Sequence, residues 1–130
     1  MAIYVHNFPN SKLLTGKSLT LVGSHQIDYF DKNARSGDLS AIMLQNIPWW
    51  ADIFRAPPKE IALISKWEEK LEKFTQYAIH KNITGFAGVP SWNLVMLKHI
   101  LDVTGKNNLL EVWPNLELFM HGGVNFAPYR

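Results

Sequence analysis

The stretch NITGFAGVPSWNLVMLKHILDVTG, residues 82–105, decides the fold because it joins a strand directly to a helix. Its first part, NITGFAGV, is β-branched and aromatic and is broken by small residues, which predicts a buried strand over 82–89. Pro90 suits the first position of a helix, since that position needs no N–H donor. Gly105 is placed to end the helix as a C-terminal cap.

The helix after this strand is rich in apolar residues. These residues are Leu94, Val95, Leu97, Ile100 and Leu101. Because they cover most of the helix circumference, the pattern predicts a largely buried helix.

A second helix precedes the strand. Apolar residues recur on one face at Trp67, Leu71, Phe74 and Ala78, which predicts an amphipathic helix over 66–81. The SKWE sequence, with Ser65 and Glu68, is typical of a capping box.

After the second helix, NNLLEVWPN predicts a short helical turn, and LELFMHG predicts a last strand over 116–122. Helix, strand, helix and strand in this order favour parallel strands joined by right-handed crossovers. The predicted fold class is therefore α/β, with a partial parallel sheet and crossover helices.

The first half of the chain has weaker signals. Residues 1–17 read as irregular and SLTLVG, 18–23, as a strand. The polar stretch 24–37 reads as a loop, and 38–47 as a helix that Pro48 ends. WWADIF reads as one helical turn, and one of its two adjacent tryptophans is expected to face a neighbouring surface.

Composition limits the function classes. The chain has 130 residues, 47% of them hydrophobic and 18% charged, which suits one globular domain spanning 1–130. A net charge of +2 does not favour a nucleic-acid partner. Neither a secretory start nor an apolar run long enough for a membrane span occurs. With no cysteine, these features predict a cytoplasmic protein.

Glycines at the carboxyl ends of two predicted strands indicate a ligand site. GVPSW follows one strand and HGGV follows the other, so both should line the sheet edge where α/β proteins bind ligands. His121, Gly122 and Gly123 are therefore assigned to this site. A tight turn after the strand explains the two glycines equally well, and core packing explains Trp92 at least as well.

No self-contained catalytic constellation appears. The five histidines lack metal-ligand spacing, no phosphate-binding glycine loop occurs, and no serine sits in a nucleophile elbow. We therefore predict neither catalytic residues nor a metal site within the chain.

Several stretches together resemble a known family, namely residues 7–26, GDLSAIMLQNIPWWADIFRAP (37–57), GVPSW (88–92) and LLEVWPNLE followed by HGGV. They are similar to the bacterial branch of the auxin-responsive acyl-acid amido synthetases, which are acyl-adenylate-forming ligases. The resemblance implies that the chain is an internal piece of the large N-terminal domain of such an enzyme.

The resemblance implies a two-step reaction. A carboxylic acid is adenylated by ATP with Mg²⁺, and the acyl group then passes to the amine of an amino acid. ATP and Mg²⁺ would serve the full-length parent, and neither is expected to bind this segment by itself. The expected partners are these small molecules, with the rest of the parent chain or a second copy covering exposed apolar surface.

The resemblance also implies roles for individual residues. The glycines after the last strand would contact the adenine, which points to Gly122 and Gly123, with Val124 beside them. The acyl pocket would include His121, Trp92 and, from the segment 41–45, Ile42 and Met43.

Motifs that the family uses for phosphate, metal and ribose are absent from this sequence, so the chain alone is predicted to be inactive. Two alternatives stay open. One is a segment of a ligase that forms coenzyme A thioesters, and the other is a stand-alone, non-catalytic module that binds a ligand or a partner.

Overall fold

The computed structural model describes residues 2–22, 28–31, 34–36, 39–122, 125 and 127. The helices are α1 Ala2–Asn7, α2 Leu39–Gln45, α3 Trp49–Asp52, α4 Lys59–Ala62, α5 Trp67–Ala78, α6 Pro90–Thr104 and α7 Leu109–Val112. The strands are β1 Lys17–Thr20, β2 Asp28–Asp31, β3 Ala34–Ser36, β4 Arg55–Ala56, β5 Ile83–Gly88 and β6 Leu118–His121.

The main sheet has four strands in the order β4-β1-β5-β6. All three of its strand pairs are parallel, which confirms the predicted α/β class. Matching rows run across it: Leu19 pairs with Ala56 and Phe86, and Phe86 pairs with Phe119.

The two faces of this sheet carry different layers. One face packs on α5 and α6, and the core there includes Leu19, Phe86, Phe74, Ile100 and the buried indole of Trp113. Helices α2 and α3, which come between β1 and β4 in the chain, lie on the other face. We call these the helix face and the groove face.

The amphipathic helix forms as predicted over most of its length. α5 is shorter than 66–81 and buries Phe74 and Ala78 on the helix face. The capping-box prediction is wrong, because Lys66 is the N-cap and no side chain accepts a hydrogen bond there. The apolar stripe, which packs on the sheet, is what fixes this helix.

The helix after Pro90 confirms both of its predicted ends. Proline occupies its first turn, and Gly105 closes it in the left-handed conformation with a φ of 65°. The prediction of a largely buried helix is wrong. Met96 and Ile100 are buried, but Leu94 and Val95 are 57% and 50% exposed. The apolar residues of α6 therefore form two faces, and only one of them meets the sheet.

The first half of the chain is more regular than predicted. α1 and a 3₁₀ turn at Leu13–Thr15 lie within the supposedly irregular residues 1–17. β2 and β3 form an antiparallel pair within the supposed loop 24–37. The sequence pattern hides this pair, because Tyr29 and Phe30 are adjacent and so do not show the apolar alternation that marks a half-buried strand.

A carboxylate ties the N-terminal segment to the start of β6. The hydroxyl of Ser11 donates to Glu117 Oε2 at 2.6 Å, and the N–H of Lys12 donates to Oε1 at 2.7 Å. These bonds, the Ser11 bond first, lower the pKa of Glu117 below its ordinary value. They hold the 3₁₀ turn against the sheet.

This tie should depend on pH. The folded-state pKa of Glu117 is lower than the unfolded one, so the tie stabilises the fold at neutral pH. Its contribution is lost as the pH falls from the unfolded value, near 4.5, through the folded value. Carbon-detected NMR of the carboxyl group should show a titration midpoint below 4.5 that rises in Ser11→Ala. An unchanged midpoint in that variant would contradict the assignment.

Candidate functional site

The carboxyl ends of β1 and β5 form the natural ligand edge of this sheet. These strands are neighbours, yet the helices that follow β1, α2 and α3, lie on the groove face, whereas α6, which follows β5, lies on the helix face. In open α/β sheets, ligands bind outside the carboxyl ends of strands at such a reversal. The topology therefore predicts a ligand site at this edge, independently of any sequence motif.

Gly88 brings the backbone of β5 close to a buried amide at this edge. Its φ is +146°, and a Cβ built on it would lie 3.0 Å from Asn93 Nδ2 and 3.2 Å from the Leu21 carbonyl oxygen. Asn93 is only 2% exposed. Within the described part of the chain, neither its Nδ2 nor its Oδ1 has a hydrogen-bond partner. The edge thus holds an unsatisfied polar group between two strand ends.

A buried lysine and a helix N-terminus also lie at this edge. Lys70 of α5 is 1% exposed, and its Nζ donates to the Val22 carbonyl oxygen at 2.7 Å, just beyond β1. α6 also begins here, and no side chain caps its N-terminus. Because a helix N-terminus carries partial positive charge, this edge favours an anionic group.

A large apolar groove lies on the groove face, between the sheet and the α2–α3 connection. Its volume is about 840 Å³. The walls come from the 3₁₀ turn, from all four strands of the main sheet, from α2 and α3, and from loops between these elements. The lining residues are Leu13, Leu14, Ser18, Thr20, Val22, Met43, Leu44, Asn46, Ile47, Pro48, Trp50, Ala51, Phe54, Arg55, Ala87 and Met120.

The charged residue in the groove wall is already neutralised. Arg55 Nε donates to Asp52 Oδ1 at 2.8 Å, and its Nη2 lies 2.6 Å from the same oxygen. Its Nη1 donates to the Pro57 carbonyl oxygen. The groove is therefore suited to a neutral, apolar guest.

One polar atom of the groove wall is unsatisfied. Ser18 Oγ is buried and has no hydrogen-bond partner in the described chain. We expect Ser18→Ala to leave the free energy of unfolding unchanged or to raise it by up to about 1 kcal/mol, because an unpaired buried hydroxyl is lost. Urea denaturation measures this.

The control for Ser18→Ala is Thr84→Val. Thr84 is fully buried, and its Oγ1 donates to the Leu13 carbonyl oxygen at 2.8 Å. Removing that donor should cost about 1–3 kcal/mol. An equal loss in both variants would mean that the Ser18 hydroxyl is paired.

The four predicted acyl-pocket residues do not lie together in the structure. Met43 lines the groove, whereas Ile42 and Trp92 are not among the lining residues. His121 lies on the helix face, with its ring 5.3 Å from that of Phe119. Because strand side chains alternate, Met120 faces the groove instead. His121 and Trp92 therefore lie near the ligand edge without forming the groove.

The predicted nucleotide-binding residues follow β6. Gly122 is exposed, and a Cβ built on it would meet no atom of the described residues within 4 Å. Gly123 and Val124 lie outside the described residues. The space beside Gly122 leaves its backbone open to a flat ring.

Sequence reasoning missed most of the groove. Trp50, Phe54 and Met120 are far apart in sequence, and only the fold brings them to one wall. The PWW triplet was the available signal: Trp49 and Trp50 are 78% and 59% exposed, and Trp50 lines the groove. Nothing in the sequence indicated that Asn93 belongs to the site, since an asparagine in an apolar helix does not show what its side chain contacts.

The described residues show neither a metal-binding cluster nor a membrane-spanning helix. They contain no group of three or more His, Cys, Asp or Glu side chains that could hold a metal ion. No helix among them has the length and apolarity needed to cross a membrane.

Comparison with known proteins gives one family. The model described as the GH3 family N-terminal domain matches residues 3–130, nearly the whole chain. Neither the curated proteins nor the solved structures gave a match.

Proposed function

The chain belongs to the GH3 family, whose members are acyl-adenylating enzymes, and on this premise we propose that it is a segment of an ATP-dependent acid–amino acid ligase. The observation that carries the proposal is the family match over 3–130. The family includes the auxin-responsive acyl-acid amido synthetases. The bacterial origin and the cytoplasmic location belong to the same proposal.

The proposed reaction turns a poor electrophile into a good one. A carboxylate oxygen attacks the α-phosphorus of ATP, and the bond to the β-phosphate breaks, which releases pyrophosphate. The amine of an amino acid then attacks the acyl carbon, AMP leaves, and the nitrogen loses a proton. Positioning and charge stabilisation account for most of the catalysis in reactions of this kind.

In this scheme the groove holds the acyl part of the acid. Its walls are apolar, and Arg55 is neutralised by Asp52, so an uncharged tail fits there. The N-terminus of α6, with its partial positive charge, suits the carboxylate, and the buried amide of Asn93, which has no hydrogen-bond partner among the described residues, lies at the same edge. Met43 and Met120 then contact the tail, while His121 and Trp92 stand close to the edge where the acid is activated.

The described residues do not fit a complete site for ATP and Mg²⁺. They include no cluster of metal-binding side chains, and Gly122 is the sole described residue of the predicted adenine contact. We assign phosphate and metal binding to other parts of the parent protein. This chain supplies the acid site and a flat backbone surface, and we propose that it is inactive alone.

The outer face of α6 supports contact with more polypeptide. Trp92, Leu94, Val95 and Val103 are between 44% and 57% exposed there. Apolar patches of this kind are typical of buried or partnered surfaces. We assign this face to the remainder of the parent chain, with self-association as the alternative when the segment stands alone.

The test is ATP–pyrophosphate exchange by the full-length protein with a panel of carboxylic acids. We expect acid-dependent exchange, and AMP with an amide when amino acids are added. Thioester formation with coenzyme A, and no amide, would favour the alternative ligase branch. No exchange with any acid would favour a non-catalytic binding module.

Gly122→Ala serves as the site variant in this assay. Because a Cβ at this position would meet none of the described residues, the thermal midpoint should not change. Nucleotide affinity should fall if adenine lies against this backbone. Normal nucleotide affinity in the variant would remove Gly122 from the proposed contact.

A further inference from the structure

Small residues of the two middle strands form the floor of the groove. Ser18 and Thr20 of β1 line it, and the pairing with β5 sets Gly85 beside Ser18 and Ala87 beside Thr20. The helix face of the same strands carries large core side chains instead. The groove therefore has its volume of about 840 Å³ because these four positions leave space above the sheet.

Two of these small side chains carry hydroxyl groups without partners. Ser18 Oγ is buried and has no hydrogen-bond partner in the described chain. Thr20 is half-buried, and no described residue is hydrogen-bonded to its hydroxyl. A hydroxyl that is taken out of water without a partner lowers stability. Alanine and valine would leave the same space and suit a strand, so packing of the sheet does not explain two hydroxyls here.

The cationic and amide nitrogens that line the groove already have partners. The guanidinium of Arg55 donates to Asp52 and to the Pro57 carbonyl oxygen. Asn46 Nδ2 donates to the Ile42 carbonyl oxygen at 2.8 Å. The two hydroxyls of the floor remain for a guest. Because a hydroxyl both donates and accepts, each suits a carbonyl or a hydroxyl oxygen.

The two hydroxyls are close enough to act on one substituent. Ser18 and Thr20 lie two residues apart on the same face of β1, which separates their Cα atoms by about 6.6 Å. Hydrogen bonds between oxygens span about 2.7–2.8 Å. Rotation about the Cα–Cβ bond moves each hydroxyl between staggered positions, so Ser18 Oγ turns from its buried position toward a guest. One oxygen atom above the floor can then bind both.

We propose that Ser18 and Thr20 select the acyl group by binding an oxygen substituent on its apolar body. The substrate class is then an apolar carboxylic acid with a ketone or hydroxyl group away from its carboxylate. A pure hydrocarbon body would leave both hydroxyls unpaired, and sites built to bind a polar group discriminate against analogues that lack it. The inference rests on the proposed function, because it assigns the groove to the acyl group.

The experiment compares binding of 1-tetralone and tetralin to the full-length protein by calorimetry. The two compounds share one bicyclic skeleton and differ by a carbonyl oxygen, and neither is charged. The double variant Ser18→Ala/Thr20→Val should weaken tetralone binding by about tenfold, because two hydrogen bonds are lost. It should bind tetralin at least as tightly as the parent does. Equal weakening of both compounds, or no binding of tetralone to the parent, would overturn the proposal.

Single variants cover the case in which the double variant fails to fold. Ser18→Ala and Thr20→Val should each weaken tetralone binding by about threefold. Ser65→Ala is the matched control, because Ser65 is exposed and lies outside the groove. It should leave both affinities unchanged. Unchanged tetralone binding in both single variants would remove the two hydroxyls from the site.

ATP–pyrophosphate exchange separates this inference from the proposed function. The full-length protein is assayed with pairs of bicyclic acids that differ by one ring ketone. We expect a lower KM for the keto acid, and we expect the double variant to lose this preference. Equal KM values within every pair would overturn the inference and leave the ligase intact. Hydroxyl-dependent binding of tetralone without exchange by any acid would overturn the ligase and support the selective groove.

Discussion

Trp113→Ala should lower the free energy of unfolding by about 3–5 kcal/mol, the usual loss for truncating a buried large aromatic residue. Trp113 is 1% exposed and belongs to the core between the sheet, α5 and α6. Its Nε1 also donates to the Ala78 carbonyl oxygen at 3.0 Å, at the end of α5. The variant therefore loses both packing and a bond that fixes α5 against the segment before β6.

Guanidinium chloride unfolding, followed by circular dichroism, measures this loss. Trp49→Ala is the matched control, because Trp49 is 78% exposed and lies outside the core. The control should change stability by no more than about 0.5 kcal/mol. Since whole domains are stable by only about 5–15 kcal/mol, Trp113→Ala should leave much of the chain unfolded at moderate temperature. Similar losses in both variants would contradict the position of Trp113 in the core.

The sequence was sufficient for elements whose stability is decided locally. In the structure α6 begins at Pro90 and ends before Gly105, as the sequence pattern predicts, because proline restricts its own φ and glycine readily adopts the left-handed conformation. The stripe from Trp67 to Ala78 located α5 for a similar reason. The alternation of helices and strands then implied a parallel sheet, which the strand order confirms.

The sequence was insufficient where the outcome depends on what an element faces. α6 is apolar at Leu94 and Val95 as well as at Met96, and its composition does not say which face meets the sheet. The groove presents the same difficulty. Leu14, Phe54 and Met120 become neighbours through strand order, so their pattern along the chain contains no trace of the groove.

For the candidate site, the sequence predicted the edge of the sheet but not the contacts between residues there. The positions of GVPSW and HGGV predicted that two parallel strands end at one edge of the sheet, and the pairing of Gly88 with His121 confirms this. They did not indicate Asn93 or Lys70, whose importance comes from burial beside Gly88 and Val22.

Gly88→Ala should lower the free energy of unfolding by about 2–5 kcal/mol, the largest loss for a glycine substitution at this edge. Backbone strain and overpacking together cause this loss. A φ of +146° lies outside the conformations that side-chain-bearing residues readily adopt. The added Cβ would also press on Asn93 Nδ2 at 3.0 Å and on the Leu21 carbonyl oxygen at 3.2 Å. The two strand ends cannot separate freely, because the Leu21 N–H donates to the Ala87 carbonyl oxygen.

Gly105→Ala separates strain from crowding. Gly105 also has a positive φ, of 65°, but a Cβ there would meet nothing within 4 Å. Its substitution should cost about 1–2 kcal/mol, the price of the left-handed conformation alone. Urea denaturation of both variants measures the difference in stability loss. Equal losses would show that β5 and Asn93 lie farther apart than in the structure.

The Asn93→Ala background then tests the contact itself. Shortening this side chain removes the closest atom to the new Cβ, so Gly88→Ala should cost less there than in the parent chain. A double-mutant cycle isolates that coupling, which for residues in contact reaches about 0.5–3 kcal/mol. Additive losses would mean that Asn93 does not limit the edge. Measurable coupling would mean that Gly88 is required because a buried amide occupies the space beside it, at the point where the topology favours a ligand.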